Sequence, residues 1–156
     1  MSIPPFLLRL MLVPRLGIRL TRPEDQICAE FASALRALAL EARLSCVFTH
    51  VANEIGYDNN PTLRKKAQLA YAIAKALGFT TGTADYLFLW NGGSGAIEFK
   101  SGSGRQTDAQ KDFAQWCALN LVPYEIARSS DQGIAILKNW GCIDNDQAQD
   151  RGNQAA

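Results

Sequence analysis

The stretch TADYLFLWNGGSGAIEFKSG, residues 83–102, constrains this chain more than any other. Two apolar runs flank a glycine-rich turn, the pattern of a β-hairpin. Asn91-Gly92 and Gly92-Gly93 are both favoured two-residue closures, and the choice sets the register. The first places Asp85 opposite Glu98; the second places it opposite Lys100. Alternate residues of a strand share a face, so Ala96, Glu98 and Lys100 point one way and Ile97 and Phe99 the other. Either closure therefore gathers Asp85, Glu98 and Lys100 on one side of the sheet. Buried charge is costly unless it is paired or bound to a cation. Two readings follow: a buried ion pair with a spare acid, or a site for a hard cation such as Mg²⁺. Two carboxylates and a lysine are also a set of parts suited to phosphodiester hydrolysis.

Around the hairpin the chain reads as one domain, since 156 residues suffice for a single core and are few for two. A formal charge of +1 gives no whole-molecule field to draw in nucleic acid, so such a role needs local clusters. Cys28, Cys46, Cys117 and Cys142 form no C-x-x-C pair, and the chain has one histidine. Both facts argue against zinc and for free thiols in a reducing cytoplasm. The opening MSIPPFLLRLMLVPRLGIRL is apolar, but Arg9, Arg15, Arg19 and the prolines break it below the roughly 20 residues of a membrane span. It lacks the order of a signal peptide. Residues 1–20 read as an arm packed on the domain or on a partner subunit, or as sequence upstream of the true start.

Thr21-Arg22-Pro23-Glu24 has the T-x-x-E pattern of a capping box, opening a helix to about residue 42. Ile27, Cys28, Phe31, Leu35 and Leu38 recur along it at helical spacing. LSCVFTHVAN, residues 44–53, reads as a strand. Asn60-Pro61 starts a helix that runs to Gly78. A second capping box, Thr107 to Gln110, opens a helix with Phe113, Trp116 and Cys117 on its apolar side. YEIA after Pro123 is a strand, SSDQGIAILKNWG a helix stopped at Gly141, and residues 142–156 a polar, disordered tail. The order α-β-α-β-β-α-β-α predicts an α/β domain over 21–141, a small mixed sheet flanked by helices.

Asp85 followed by Glu98-Phe99-Lys100 resembles the D…(D/E)-x-K signature of the PD-(D/E)XK nuclease superfamily. FTHVANE, the basic helix ending at Gly78, GTADYLFL, AIEFKSGSGRQTDAQKDF and VPYEIARSSDQGIAIL resemble, in order, the virus-type replication-repair nuclease (VRR-NUC) domain. The resemblance implies a restriction-endonuclease-like core and an Mg²⁺- or Mn²⁺-dependent DNA endonuclease. It implies Asp85, Glu98 and the Phe99 carbonyl as metal ligands and Lys100 as the lysine of the signature. Glu24 matches an acid that completes the metal site, against its competing reading as a cap. Gln110 matches a glutamine that supports the site or contacts DNA, again against a capping role. His50 and Asn53 match the first-strand pattern as DNA contacts, although a lone histidine is more often structural. Ala84 stands where the family has proline, a departure that touches turn geometry rather than chemistry.

Arg64, Lys65 and Lys66, with Lys75 further along the same helix, form a basic cluster, and Arg105 follows the signature lysine. Such a cluster is usually a solvated face; beside a phosphodiester-cleaving site it becomes a phosphate contact. No groove-reading motif accompanies it, which fits recognition of shape or branching. Standalone members of the family are associated with Holliday-junction cleavage as homodimers. The resemblance thus implies branched DNA as partner, a role in DNA repair, and the cytoplasm of a bacterial cell or phage-infected host. A flap or end-processing nuclease is the alternative within the class, and a non-catalytic DNA-binding protein the alternative outside it. The apolar PFLLRLMLVP suggests residues 5–20 or the first helix as the dimer interface.

Overall fold

The computed structural model describes residues 5–13, 19–51 and 61–144. In chain order the elements are α1 (Pro5–Met11), α2 (Pro23–Leu40), β1 (Cys46–His50), α3 (Pro61–Ala76), β2 (Tyr86–Trp90), β3 (Gly93–Phe99), α4 (Asp108–Leu119), β4 (Tyr124–Ala127) and α5 (Ser130–Asn139). The four strands make one mixed sheet in the order β1-β2-β3-β4, antiparallel across the first three and parallel between β3 and β4. The expected mixed α/β class holds at this level.

The hairpin closes on Asn91-Gly92. Trp90 pairs with Gly93 and Tyr86 with Ile97, so Asp85 falls opposite Glu98. Gly92 takes a φ of +84°, where a side chain would be strained. A Cβ on Gly93 would meet the ring of its cross-strand partner Trp90 at 2.5 Å, so that position has no room for a side chain.

One face of the sheet carries Phe48, Tyr86, Phe88, Ile97 and Phe99, and α2 and α5 lay Phe31, Leu35 and Leu137 onto it. Phe31 is the hub, its ring 5.1 Å from that of Tyr86 and 4.9 Å from that of Phe99. Truncating a ring so placed costs about 3–5 kcal/mol. Helix α5 approaches this closely because residue 133 is glycine: a Cβ there would lie 2.7 Å from Phe31 Cε2 and 2.9 Å from Phe99 Cζ. The second face carries Ala96, Glu98 and Lys100, with Tyr124 of β4 beside them. Helix α4 covers this part, packing Phe113 against Tyr124 at 6.2 Å.

Several boundaries differ from the sequence expectation. The Thr21 capping box does not form; Arg22 is the N-cap and makes no side-chain cap. With Pro23 as the first helical residue, Glu24 sits one position too early to reciprocate. Helix α2 ends at Leu40, two residues short of the expected end. The folded unit extends past Gly141, because Cys142 and Ile143 are buried and Ile143 bridges Leu44. The Ser45 N–H donates to the Cys142 carbonyl at 2.8 Å, holding that segment against the start of β1. Residues 145–156 of the expected tail lie outside the described residues. The arm contains a short helix, α1, tied to α2 by Arg36 Nε donating to the Leu10 carbonyl at 3.0 Å. Trp116 is exposed rather than turned inward. All four cysteines are free. Among the described residues no helix is long and apolar enough to cross a membrane.

Candidate functional site

The site begins where β2 ends. N–H and C=O of one strand residue point to the same side, and those of Phe99 face β2, whose first residue is already Tyr86. The Asp85 side chain takes the missing place, its Oδ2 accepting the Phe99 N–H at 2.7 Å. The Phe99 carbonyl leaves the strand on the same side.

Across the hairpin, Glu98 is 1% exposed and Lys100 6%. Lys100 Nζ lies 2.8 Å from Glu98 Oε1, and Gln110 Nε2 donates to the same oxygen. The other oxygen, Oε2, is buried without any hydrogen-bond partner. A buried acceptor left this way costs about 1–3 kcal/mol, more when charged. Gln110 makes both the cap and the contact with Glu98. Its Oε1 accepts the Thr107 N–H at 2.9 Å and its N–H donates to Thr107 Oγ1 at 3.3 Å, completing the capping box. The box aims the amide nitrogen at Glu98.

The electrostatics show acid in excess. Burial pushes the Glu98 carboxyl up to about 7, against the lowering effects of Lys100 and, more weakly, of the nearby Asp85 N–H, and with a further rise from the Asp85 charge. Asp85 is raised as well, chiefly by burial and slightly by Glu24, while the Phe99 N–H, His50 and Lys100 pull it down. The Cys28 thiol is pushed up to about 12 by burial and then by Asp85, Asp25, Glu98 and Glu24. Glu24 itself accepts the Ser101 N–H at 3.3 Å, which sets it against the loop that follows Lys100.

Among the described residues no three His, Cys, Asp or Glu side chains stand together as a ready-made metal cage. Two carboxylates with a backbone carbonyl and waters are nonetheless an ordinary donor set for Mg²⁺. The orphaned Glu98 Oε2 and the facing Asp85 fit that chemistry. No protein-family model, curated protein or solved structure matches the chain.

The expected DNA contacts are less gathered. Arg64, Lys65 and Lys66 are all exposed on α3, but successive helical residues turn by about 100°. They fan around the helix instead of forming one patch. Arg64 and Lys75 return to a common face, where Lys75 Nζ donates to Thr81 Oγ1 at 3.3 Å. His50 packs edge-on against Tyr86 at 5.0 Å, on the sheet face opposite to that of Glu98. Arg105 is exposed beyond the loop. Asn53 lies outside the described residues.

Two supports escaped the sequence reading. Arg128 donates through Nη1 to the Gly102 carbonyl at 2.5 Å and through Nη2 to that of Gly104 at 3.2 Å, clamping the loop after Lys100 onto the end of β4. Gln106 Nε2 donates to the Tyr124 hydroxyl at 3.1 Å, next to Glu98. Neither pair is close in sequence, and the β3–β4 register is what brings them together.

Proposed function

We propose that this chain is an Mg²⁺- or Mn²⁺-dependent endonuclease that hydrolyses DNA phosphodiester bonds on a PD-(D/E)XK core, with branched DNA as its preferred substrate. One observation carries the reading: Asp85 and Glu98 face each other across the hairpin, with Glu98 Oε2 buried and partnerless beside the Lys100 ammonium. The substrate class comes from the VRR-NUC resemblance. Asp85, Glu98 and the Phe99 carbonyl would hold the ion, with Glu24 at the adjoining loop. A bound divalent ion neutralises the surplus acid and stabilises charge on a phosphoryl oxygen. Gln110 fixes the Glu98 carboxylate, and Lys100 holds an ammonium where an attacking water is to be oriented. Arg64, Lys75 and Arg105 supply phosphate contacts that carry no base readout.

The test is cleavage of labelled junction, flap, duplex and single-stranded DNA with Mg²⁺ and with a chelator. Junction cutting is expected, lost on chelation and lost in Asp85→Ala and Glu98→Ala proteins that still fold. Cutting by the Asp85→Ala protein at the wild-type rate would remove the reading. A protein that cuts nothing and gains no thermal stability from Mg²⁺ has a buried ion pair there and no more.

A further inference from the structure

Between Lys100 and helix α4 runs a loop, residues 101–106, with site residues at both ends: Glu98 and Lys100 before it, Gln110 after it. Its sequence, SGSGRQ, has two glycines and no apolar side chain, so burial cannot fix it. Its order comes from hydrogen bonds. The Gly104 N–H donates to the Ser101 carbonyl at 2.7 Å, closing a tight turn. Two side chains grip that turn from outside. From α2, Glu24 Oε1 accepts the Ser101 N–H at 3.3 Å, and a Cβ on Gly104 would stand 3.3 Å from the same oxygen. From the end of β4, Arg128 Nη1 donates to the Gly102 carbonyl at 2.5 Å and to that of Gly104 at 3.3 Å. Its Nη2 donates to Gly104 as well, at 3.2 Å.

Arg128 is itself held in place. It follows Ala127, which pairs with Phe99 and accepts the Lys100 N–H at 2.9 Å. Its own N–H donates to Gln132 Oε1 at 2.7 Å. The guanidinium thus joins the turn to the sheet at the level of Lys100. Glu24, across the turn, is near enough to Asp85 for its charge to raise that carboxyl. A shift of the turn therefore moves Glu24 relative to Asp85 and redirects the backbone that leaves Lys100.

We propose, on the metal-dependent reading above, that Arg128 is a positioning residue: through the Gly102 and Gly104 carbonyls it fixes the turn against Glu24 and Lys100, and so sets how tightly the acids hold a divalent ion. Its role needs no contact with ion or DNA. A planar fork spans the two carbonyls, which a compact ammonium does not copy, so charge alone is not enough. Groups that orient metal-binding side chains in this way are worth about 10–100-fold in metal affinity.

Mg²⁺ titration followed by melting temperature, amide hydrogen exchange and junction cleavage test this on the full chain. Arg128→Ala should raise the Mg²⁺ Kd about tenfold or more and lower kcat at fixed Mg²⁺, with KM for DNA unchanged. Arg128→Lys, which keeps the charge and loses the fork, should follow Arg128→Ala. Gly104→Ala leaves Arg128 in place but sets a methyl 2.9 Å from the Ser101 carbonyl oxygen, and should weaken Mg²⁺ binding too. In the Arg128 variants, exchange should quicken at 101–106 far more than in β2 and β3, which a general loss of stability would not produce. An unchanged Mg²⁺ Kd in Arg128→Ala or Gly104→Ala, an Arg128→Lys protein that behaves as wild type, a raised KM at constant kcat, or exchange quickened equally throughout overturns the proposal. Wild type that takes up no Mg²⁺ overturns the metal reading, and this role with it; uptake that Arg128→Ala leaves intact overturns this role alone.

Discussion

Replacing Glu98 by glutamine isolates the cost of keeping an ionised carboxylate beneath α4. In the metal-free protein this carboxyl titrates at about 7 instead of the ordinary 4.5. A raised acid pKa means that the folded state holds the proton more tightly than the unfolded chain. Stability therefore falls as pH rises from 4.5 through about 7, and the full penalty is present above that. At 1.36 kcal/mol per pH unit the interval corresponds to about 3 kcal/mol. Glutamine has no proton to lose, so the difference between the two proteins carries the Glu98 titration together with its coupling to Asp85. The unfolding free energy of Glu98→Gln minus that of wild type should accordingly grow by about 3 kcal/mol between acid and mildly alkaline pH. Urea unfolding of both proteins, with chelator, across a pH series measures it. A difference that stays flat would mean that Lys100 and Gln110 fully compensate the burial, and the argument for a cation-hungry acid would go with it. Adding Mg²⁺ at the alkaline end should then stabilise wild type, by about 2.7 kcal/mol at a hundred times Kd, and leave Glu98→Gln unmoved.

Thr107→Ala and Gln110→Ala separate the two parts played by one glutamine. Both should lose about 1 kcal/mol of stability from the broken cap, but only Gln110→Ala should also slow junction cleavage, by tenfold or more; equal rates would leave Gln110 a cap alone. Gly133→Ala should destabilise by about 1–3 kcal/mol in thermal unfolding, because the added methyl meets two core rings, and a neutral result would show that α5 shifts freely. Arg64→Gln with Lys75→Gln should flatten the salt dependence of DNA binding by up to about two units, and Lys65→Gln with Lys66→Gln by less. Equal slopes for the two pairs would show that α3 meets DNA on no single face.

The hairpin was legible because everything it needs is local: apolar runs, a glycine turn, and a period of two that puts Asp85, Glu98 and Lys100 on one face. Its register was left open between two turns, because Asn91-Gly92 and Gly92-Gly93 satisfy the same turn chemistry. Thr21 misled because proline two residues later moves the helix start. Cys142 and Ile143 are too short a pair to announce a buried bridge within a polar tail. The basic run on α3 is contiguous in sequence but spread around the helix, which spacing alone already implied.

The placement of the two acids on one hairpin has a consequence in time. Asp85 reaches the Phe99 amide across 14 residues of chain, whereas Glu24 must travel 77 to meet Ser101. A hairpin forms in roughly 1–10 μs, before distant segments have met. Early on, the carboxylates thus come together in water, where like charges at such range repel by only about 1 kcal/mol. Their conflict sharpens when the later-synthesised helix and strand at 108–127 close over Glu98. These separations predict that the acidic pair forms first and that the cost of burying it is met only as residues 108–127 close over it.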